Sequence, residues 1–237
     1  MTLAEIKEGS VLLIDKPERW SSFDVVKKVS LLTRPKKVGH AGTLDPLATG
    51  LMIILTGSKT KEMLQQNAGE KEYTGTFFIG ATTESHDLER PVDATFPTAH
   101  ITNELIYEIA KSFVGEFAQT PPLHSAKKRD GVRYYKMARR GEEFQRIKSW
   151  VELKEFEITR IALPEVDFRI VCSKGFYVRS LAHDFGEKLL SGAHIIALRR
   201  IRSGEFNVKD AYTIESFTEF VLKEKENYQN ESLSQHQ

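Results

Sequence analysis

Short apolar runs and amphipathic helical stretches follow one another along this chain without a constant period. The runs 11–14 and 51–55 have the length and composition of buried strands, and 21–32 has helical spacing after a capping box. A doubly wound parallel sheet needs a regular alternation of strand and helix, which this order does not provide. The pattern therefore predicts an α+β fold with a mixed, mainly antiparallel sheet flanked by helices.

The domain organisation follows from the absence of an internal repeat or an obvious linker. We expect one domain over residues 1–226 and a polar, mobile tail over 227–237. The segment 38–50 carries three glycines and a proline and is expected to be a loop. Pro35 is expected to end the preceding helix.

Composition excludes several classes of protein. With 40% hydrophobic and 28% charged residues, the chain can build a core and is not disordered throughout. Its longest apolar runs, such as 51–55, are too short to span a membrane, and residues 1–10 are not a signal peptide. The single cysteine, Cys172, excludes an internal disulfide and a cysteine metal cage, and it is consistent with a reducing compartment.

The charge distribution says more than the net charge of +1. Residues 27–37 contain five bases and no acid, and residues 127–148 contain nine bases and three acids. Two basic stretches in a nearly neutral chain predict either a footprint for a polyanion or solvated helix faces and loops. Charge alone does not decide between them.

The most unusual segment is 39–50, which lies between a basic helix end and a buried strand. Its Asp45 precedes Pro46 and is therefore disfavoured in the right-handed helical conformation. A carboxylate on such a loop can be a nucleophile, a general base, a metal ligand or simply the cap of a turn. Other motifs give no alternative, since the chain has no phosphate-binding loop, zinc helix, nucleophile elbow or dinucleotide fingerprint.

Taken whole, residues 39–50 read G-H-A-G-T-L-D-P-L-A-T-G. This resembles the motif around the catalytic aspartate in the TruB family of bacterial tRNA pseudouridine-55 synthases. Further segments resemble that family in the same order: 11–17 with 21–22, 71–73, 121–141, 172–181 and 192–200. The resemblance covers about residues 11–206.

The resemblance implies a catalytic domain that isomerises uridine to pseudouridine in the T-loop of tRNA. No cofactor or metal is implied, because the reaction involves no redox change and no external group. The implied partner is tRNA, through its T-loop and stem, with no membrane, no obligate protein partner and a cytoplasmic location. Two alternatives are an RNA chaperone without turnover and a related synthase acting on another RNA.

The resemblance also implies roles for single residues. Asp45 matches the essential aspartate, Arg179 the basic residue expected to pair with it, and Tyr73 the active-site tyrosine. Tyr177 and Leu198 match residues that line the base pocket. The remaining candidates are His40, which would fill the space left by a flipped base, Lys16 as a substrate contact, and Lys127, Lys128, Arg129, Arg133, Arg139 and Arg140 as contacts to the RNA backbone.

Two features depart from the family pattern. The family usually has glycine two residues after Lys-Pro, and this chain has Arg19 there, which puts the local turn in question. Many members also continue into a C-terminal RNA-binding module of the PUA type. After Asp210 this sequence offers one helix and a polar tail, so we expect the short form without that module.

Overall fold

The structure is a computed structural model of the chain. It describes residues 1–123, 125, 127–129, 131–134, 137, 140–142 and 144–234, with the backbone alone for 128, 129, 133 and 230–234. The described chain forms two compact units, Met1–Lys71 with Arg199–Gln237 and Glu72–Leu198. The expected extent of one domain, 1–226, stays a prediction.

The first unit contains helices and strands from both ends of the chain. Its first segment holds α1 (Leu3–Gly9), β1 (Val11–Lys16), α2 (Ser22–Thr33), β2 (Val38–Ala41), β3 (Thr49–Thr56), a 3-10 turn (Gly57–Glu62) and α3 (Met63–Gln66).

The second unit begins at the start of β4 (Lys71–Ile79). It continues with β5 (Ala81–Thr83), β6 (Val92–Thr95), α4 (Asn103–Lys111), β7 (Gly115–Gln119), β8 (Lys128–Arg129), β9 (Val132–Arg133), β10 (Ser149–Ala162), β11 (Glu165–Cys172) and α5 (Val178–Lys188). The next strand, β12 (Ala193–Ser203), contributes residues to both units. The elements after it belong to the first unit: β13 (Phe206–Asn207), a 3-10 turn (Val208–Asp210) and α6 (Ile214–Ser234).

The sheet of the first unit is centred on β3. β1 and β2 pair with β3 antiparallel, whereas the Arg199–Arg200 part of β12 pairs with it in parallel. Neighbouring strands pair with both edges of β3, and residues 51–55 on alternating faces are all fully buried, so both faces of the strand are covered as well. In the second unit the strand order is β12-β4-β11-β10-β7. The predicted α+β class and mixed sheet are therefore confirmed.

The core of the second unit is aromatic. The rings of Phe77 and Phe168 stack with centroids 4.1 Å apart, and Phe185 of α5 lies 5.4 Å from Phe77. These side chains are almost completely buried, so they hold α5 against the sheet through apolar burial and ring contacts. This fixes the helix whose first turn carries Arg179.

The capping box predicted for α2 is confirmed. The Ser21 side chain accepts from the Asp24 N–H, while the Asp24 carboxylate accepts from the Ser21 N–H. Val25 and Val29 bury one face of the helix. The helix ends at Thr33, two residues before Pro35.

The turn before α2 keeps a left-handed residue despite its unusual sequence. Arg19 has a φ of 65°, the conformation that glycine adopts most easily. A side chain in this region costs about 1–2 kcal/mol. This turn therefore holds an arginine in a strained position.

The expectation of a loop over 38–50 is wrong at both ends, because residues 49 and 50 already belong to β3. Val38–Ala41 forms β2, because pairing with β3 supplies backbone hydrogen bonds that the local sequence does not signal. At the other end, α6 continues to Ser234, while residues 235–237 lie outside the described chain. The mobility of 227–237 stays a prediction. No helix among the described residues has the length and apolar character needed to cross a membrane.

Candidate active site

The loop that carries Asp45 is fixed by hydrogen bonds on both sides of the carboxylate. On one side, the Ser22 hydroxyl accepts from the Leu44 N–H at 2.9 Å and donates to the Leu44 carbonyl at 3.0 Å. On the other, the Pro46 carbonyl accepts from the Arg19 N–H at 2.8 Å. Asp45 itself is half-buried. Its backbone is therefore positioned before any substrate binds.

Lys16 supplies the deepest of these contacts. Its ammonium is fully buried and donates to the carbonyls of Pro17, Trp20 and Pro46 at 3.0, 2.6 and 3.1 Å. All three of its protons are thereby used, so a phosphate contact would require this group to leave the carbonyls. Burial lowers the pKa of Lys16 to about 8, although the nearby Asp45 carboxylate opposes the shift.

A second buried cation, Arg200 of β12, supports the start of the same loop. Its guanidinium donates to the carbonyls of Leu51 at 2.7 Å and Gly42 at 3.2 Å. Opposite Arg200 in the parallel pair stands Gly50, with a φ of 102°. A Cβ at Gly50 would lie 2.3 Å from the Arg200 carbonyl oxygen, so only glycine permits this approach.

His40 lies on β2, opposite Ile54, and is half-buried. The strand gives this side chain a fixed direction that the expected loop would not have provided. The first unit thus holds three of the candidates, namely Lys16, His40 and Asp45. The structure links the first and third through the Pro46 carbonyl.

In the second unit, Arg179 is buried at the start of α5. Only 4% of its surface is exposed, its Nη1 donates to the Ser85 carbonyl at 3.3 Å, and its Nε lies 3.7 Å from the Asp87 carboxylate. Asp87 is equally buried and also accepts from the Glu89 N–H. A guanidinium desolvated in this way needs such a counter-charge.

Asp87 was missed by the sequence analysis. It lies in a polar turn after β5, and nothing in the local sequence signals that its carboxylate is buried. The segment 84–87 is short and polar and holds two acids, Glu84 and Asp87, a composition that is typical of an exposed turn.

His86 stands beside this ion pair. Burial lowers its pKa to about 4, with His183 and Arg179 contributing positive charge in the same direction. The His183 ring lies 4.5 Å away, centroid to centroid. His86 is therefore neutral at physiological pH and adds no positive charge next to Arg179.

Tyr177 immediately precedes α5 and is held through its backbone. The Gln119 side chain donates to its carbonyl at 3.0 Å and accepts from its N–H at 2.8 Å. One helical turn into α5, the Ser180 hydroxyl donates to the Thr120 carbonyl. The Tyr177 side chain is half-buried, as is that of Leu198, while Tyr73 on β4 is 7% exposed.

The basic candidates of the 127–141 segment are only partly described. Lys127 donates to the Ile147 carbonyl and to the Ser149 hydroxyl, so its ammonium anchors the start of β10. Arg140 is exposed and lies 3.4 Å from the Glu142 carboxylate. Lys128 and Arg129 form β8 and Arg133 ends β9, but their side chains lie outside the described part, as does the whole of Arg139.

The arrangement favours chemistry that depends on a positioned carboxylate. Within the described ranges, no three His, Cys, Asp or Glu side chains come together as a metal site. Cys172 is fully buried on β11 and lies in the core. A half-buried aspartate on a preorganised loop can stabilise positive charge that develops on a substrate.

Comparison with known proteins identifies similar chains over nearly the whole sequence. The "tRNA pseudouridine synthase B" of Flavobacterium johnsoniae is 55% identical over 226 residues, which is 92% of this chain and 99% of that protein. The protein of the same name from Phocaeicola vulgatus is 48% identical over 91% of this chain and 94% of its own.

The fold also matches a solved structure, from a crystal of a Cbf5-Nop10-Gar1 complex. The TM-score is 0.75 at 27% identity, and the match covers 94% of this chain but 57% of the other. The family profile described as the N-terminal domain of TruB family pseudouridylate synthases matches residues 30–178, and that of the tRNA pseudouridylate synthase B C-terminal domain matches 179–236. This chain therefore belongs to the TruB family of pseudouridylate synthases.

Proposed function

We propose that this protein converts uridine to pseudouridine at position 55, in the T-loop of tRNA, with Asp45 as the catalytic carboxylate. The observation that carries the proposal is the fixed loop of Asp45, held through Ser22 on one side and through Lys16 on the other. Its relatives of the same family are named as synthases acting on tRNA, at up to 55% identity. Such a loop is expected of a group that must meet one atom of a large substrate.

The chemistry requires the glycosidic C1′–N1 bond to break and a C1′–C5 bond to form. The base turns between these steps, N1 gains a proton and C5 loses one, so the reaction is balanced without a cofactor. Asp45 is assigned to contact with the reacting nucleotide, where a carboxylate stabilises positive charge or forms a covalent intermediate. Tyr73 is assigned to stacking on the base and to proton transfer through its hydroxyl.

The remaining candidates have supporting roles in this proposal. A uridine stacked inside an RNA loop cannot be reached, so it must be turned out, and His40 would fill the space it leaves. Tyr177 and Leu198 would line the pocket for the extruded base. Arg179 is proposed as the cation that orients the Asp45 carboxylate. Its burial and its contact with Asp87 hold the guanidinium in one position.

The decisive experiment uses an unmodified tRNA transcript. Pseudouridine is mapped after incubation by carbodiimide labelling and reverse-transcription stops. The wild type is compared with Asp45→Asn and with Asp210→Asn, a matched change at an exposed aspartate of the same unit. We expect a stop at position 55 with the wild type and Asp210→Asn only, and RNA binding by Asp45→Asn within about tenfold of the wild type, because this carboxylate acts mainly in the transition state.

Three results would change the proposal. Pseudouridine formed by Asp45→Asn would remove Asp45 from the mechanism. A stop at another position would keep the reaction and move the substrate. Tight binding by the wild type without any stop would favour an RNA chaperone.

A further inference from the structure

A groove lies along α2 and the turn before it. Its volume is about 380 Å³, at the lower end of the range typical of ligand pockets. All of its lining belongs to the first unit. We call it the α2 groove, lined by Arg19, Trp20, Asp24, Lys27, Lys28 and Leu31.

The groove has a surplus of positive charge. Three of its six lining residues are bases, and the one acid, Asp24, is engaged as part of the helix cap. The Asp24 carboxylate accepts from the Ser21 N–H at 2.8 Å and the Ser21 hydroxyl at 2.6 Å, and these hydrogen bonds lower its pKa. The basic stretch continues without an acid to Lys37. The groove therefore favours an anionic ligand.

Arg19 is the most informative member of the groove. It occupies a left-handed conformation that favours glycine, yet its side chain is 84% exposed and packs little against the protein. Its nearest acid, Glu18, is also exposed and 3.9 Å away, a contact of little consequence for stability. Packing and ion pairing thus do not account for a side chain at this strained position. A contact with a ligand from solvent would account for it.

Trp20 and Leu31 give the groove an apolar wall next to these cations. Aromatic rings beside Lys and Arg are the usual means of binding single-stranded nucleic acid, since the cations meet phosphates and the ring stacks on a base. Trp20 is half-buried, so part of its indole faces the groove.

We propose that the α2 groove binds the RNA substrate, with Arg19, Lys27 and Lys28 on the phosphates and an unpaired base against Trp20. This inference rests on the proposed function, because it takes the substrate to be RNA. It adds a contact surface that the family motifs do not include. RNA is favoured over an acidic protein segment because the groove combines a stacking ring with three cations.

The test measures binding of a fluorescently labelled, unmodified tRNA transcript to the full-length protein across a range of KCl concentrations. Arg19→Gly removes the guanidinium and places at this φ the residue that suits it, so the fold is not weakened there. The main variant combines Arg19→Gly, Lys27→Gln and Lys28→Gln. Its matched control changes three exposed lysines of the same unit: Lys7→Gln, Lys209→Gln and Lys223→Gln.

We expect the groove variant to bind at least about tenfold more weakly than the charge-matched control, and its salt slope to fall by about 2–3. Trp20→Leu is expected to weaken binding at least about fivefold, and Trp20→Phe to restore most of it. Thermal unfolding of each variant establishes that the fold is intact.

Equal affinities and salt slopes for the two triple variants would overturn the proposal. Binding of polyglutamate is measured in parallel, as a probe for an acidic protein partner. A groove variant that binds tRNA normally but no longer binds polyglutamate would also overturn the proposal. Failure of the proposed function is read separately, from pseudouridine formation by the wild type in the same preparations. If that fails while the binding difference persists, the groove still binds RNA and the isomerase assignment is wrong.

Discussion

Replacing Lys16 with methionine separates loop positioning from overall stability. The change removes a fully buried ammonium that donates to three carbonyls. All three carbonyls lose this donor, but that of Pro46 retains a second one, the Arg19 N–H, so the loss falls mainly on the carbonyls of Pro17 and Trp20. A buried acceptor that loses its donor costs about 1–3 kcal/mol, so about 2–6 kcal/mol is the upper limit for these two half-buried residues.

The opposing contribution comes from the lysine's own desolvation. Burial lowers the pKa of Lys16 from 10.5 to about 8, which corresponds to about 3 kcal/mol against the charged form. Methionine removes that penalty. The net loss of stability at pH 7 is therefore no more than about 3 kcal/mol. Activity is expected to fall more sharply, by about 100-fold in kcat, because the backbone beside Asp45 is released.

The effect of Lys16→Met on the free energy of unfolding depends on pH. Between pH 8 and 10.5, Lys16 is protonated in the unfolded chain but not in the folded one. The free energy of unfolding therefore rises with pH through this window, and the gain is lost as pH falls through about 8. Relative to Lys16→Met, the wild type should gain about 2–3 kcal/mol between pH 7 and pH 10.

The assay is urea unfolding of both proteins at the two pH values, with steady-state kinetics on a tRNA transcript at pH 7. Lys7→Met, at an exposed lysine of α1, serves as the control. A kcat within about threefold of the wild type would refute the positioning argument, since a displaced catalytic group costs far more. The same pH dependence in wild type and variant would refute the argument from burial.

Three further changes test other parts of the site. Tyr73→Phe should lose most turnover while binding the transcript normally, because only the hydroxyl is removed; a near-normal rate would reduce Tyr73 to stacking. Asp87→Asn should lower kcat at least about tenfold and also lower the melting temperature, because it removes a charge that faces buried Arg179; unchanged values in kinetics and calorimetry would contradict this. Gly50→Ala should lower the melting temperature markedly, because its Cβ would meet backbone at 2.3 Å in a residue of positive φ. Gly131→Ala is the control for circular dichroism, because its φ is also positive but no atom of the described residues lies within 4 Å of the added Cβ.

Features that depend on neighbouring residues in sequence were predictable. The capping box of α2 and the strand at 51–55 follow from side-chain type and spacing over a few positions, and the structure confirms both. The resemblance in 39–50 identified the Asp45 loop without any knowledge of its packing. Interactions between residues close in sequence were sufficient to predict these elements.

Features that depend on distant residues were not predictable. β2 contains a glycine and no clear alternation, and it is a strand because β3 pairs with it. The burial of Asp87 depends on Arg179, ninety-two positions later. Likewise, the three carbonyls that receive Lys16 converge only when the turn and the Asp45 loop have folded.

The interrupted sequence of the first unit has a consequence for synthesis on the ribosome. The contiguous residues Glu72–Leu198 are complete before Arg199–Gln237 emerge, so the second unit can fold while the first still lacks its last strands and helix. Arg200, which supports the start of the Asp45 loop, is among the late residues. The nascent chain therefore cannot complete the support of the Asp45 loop until Arg200 has emerged, and by then the whole of the second unit has already been synthesised.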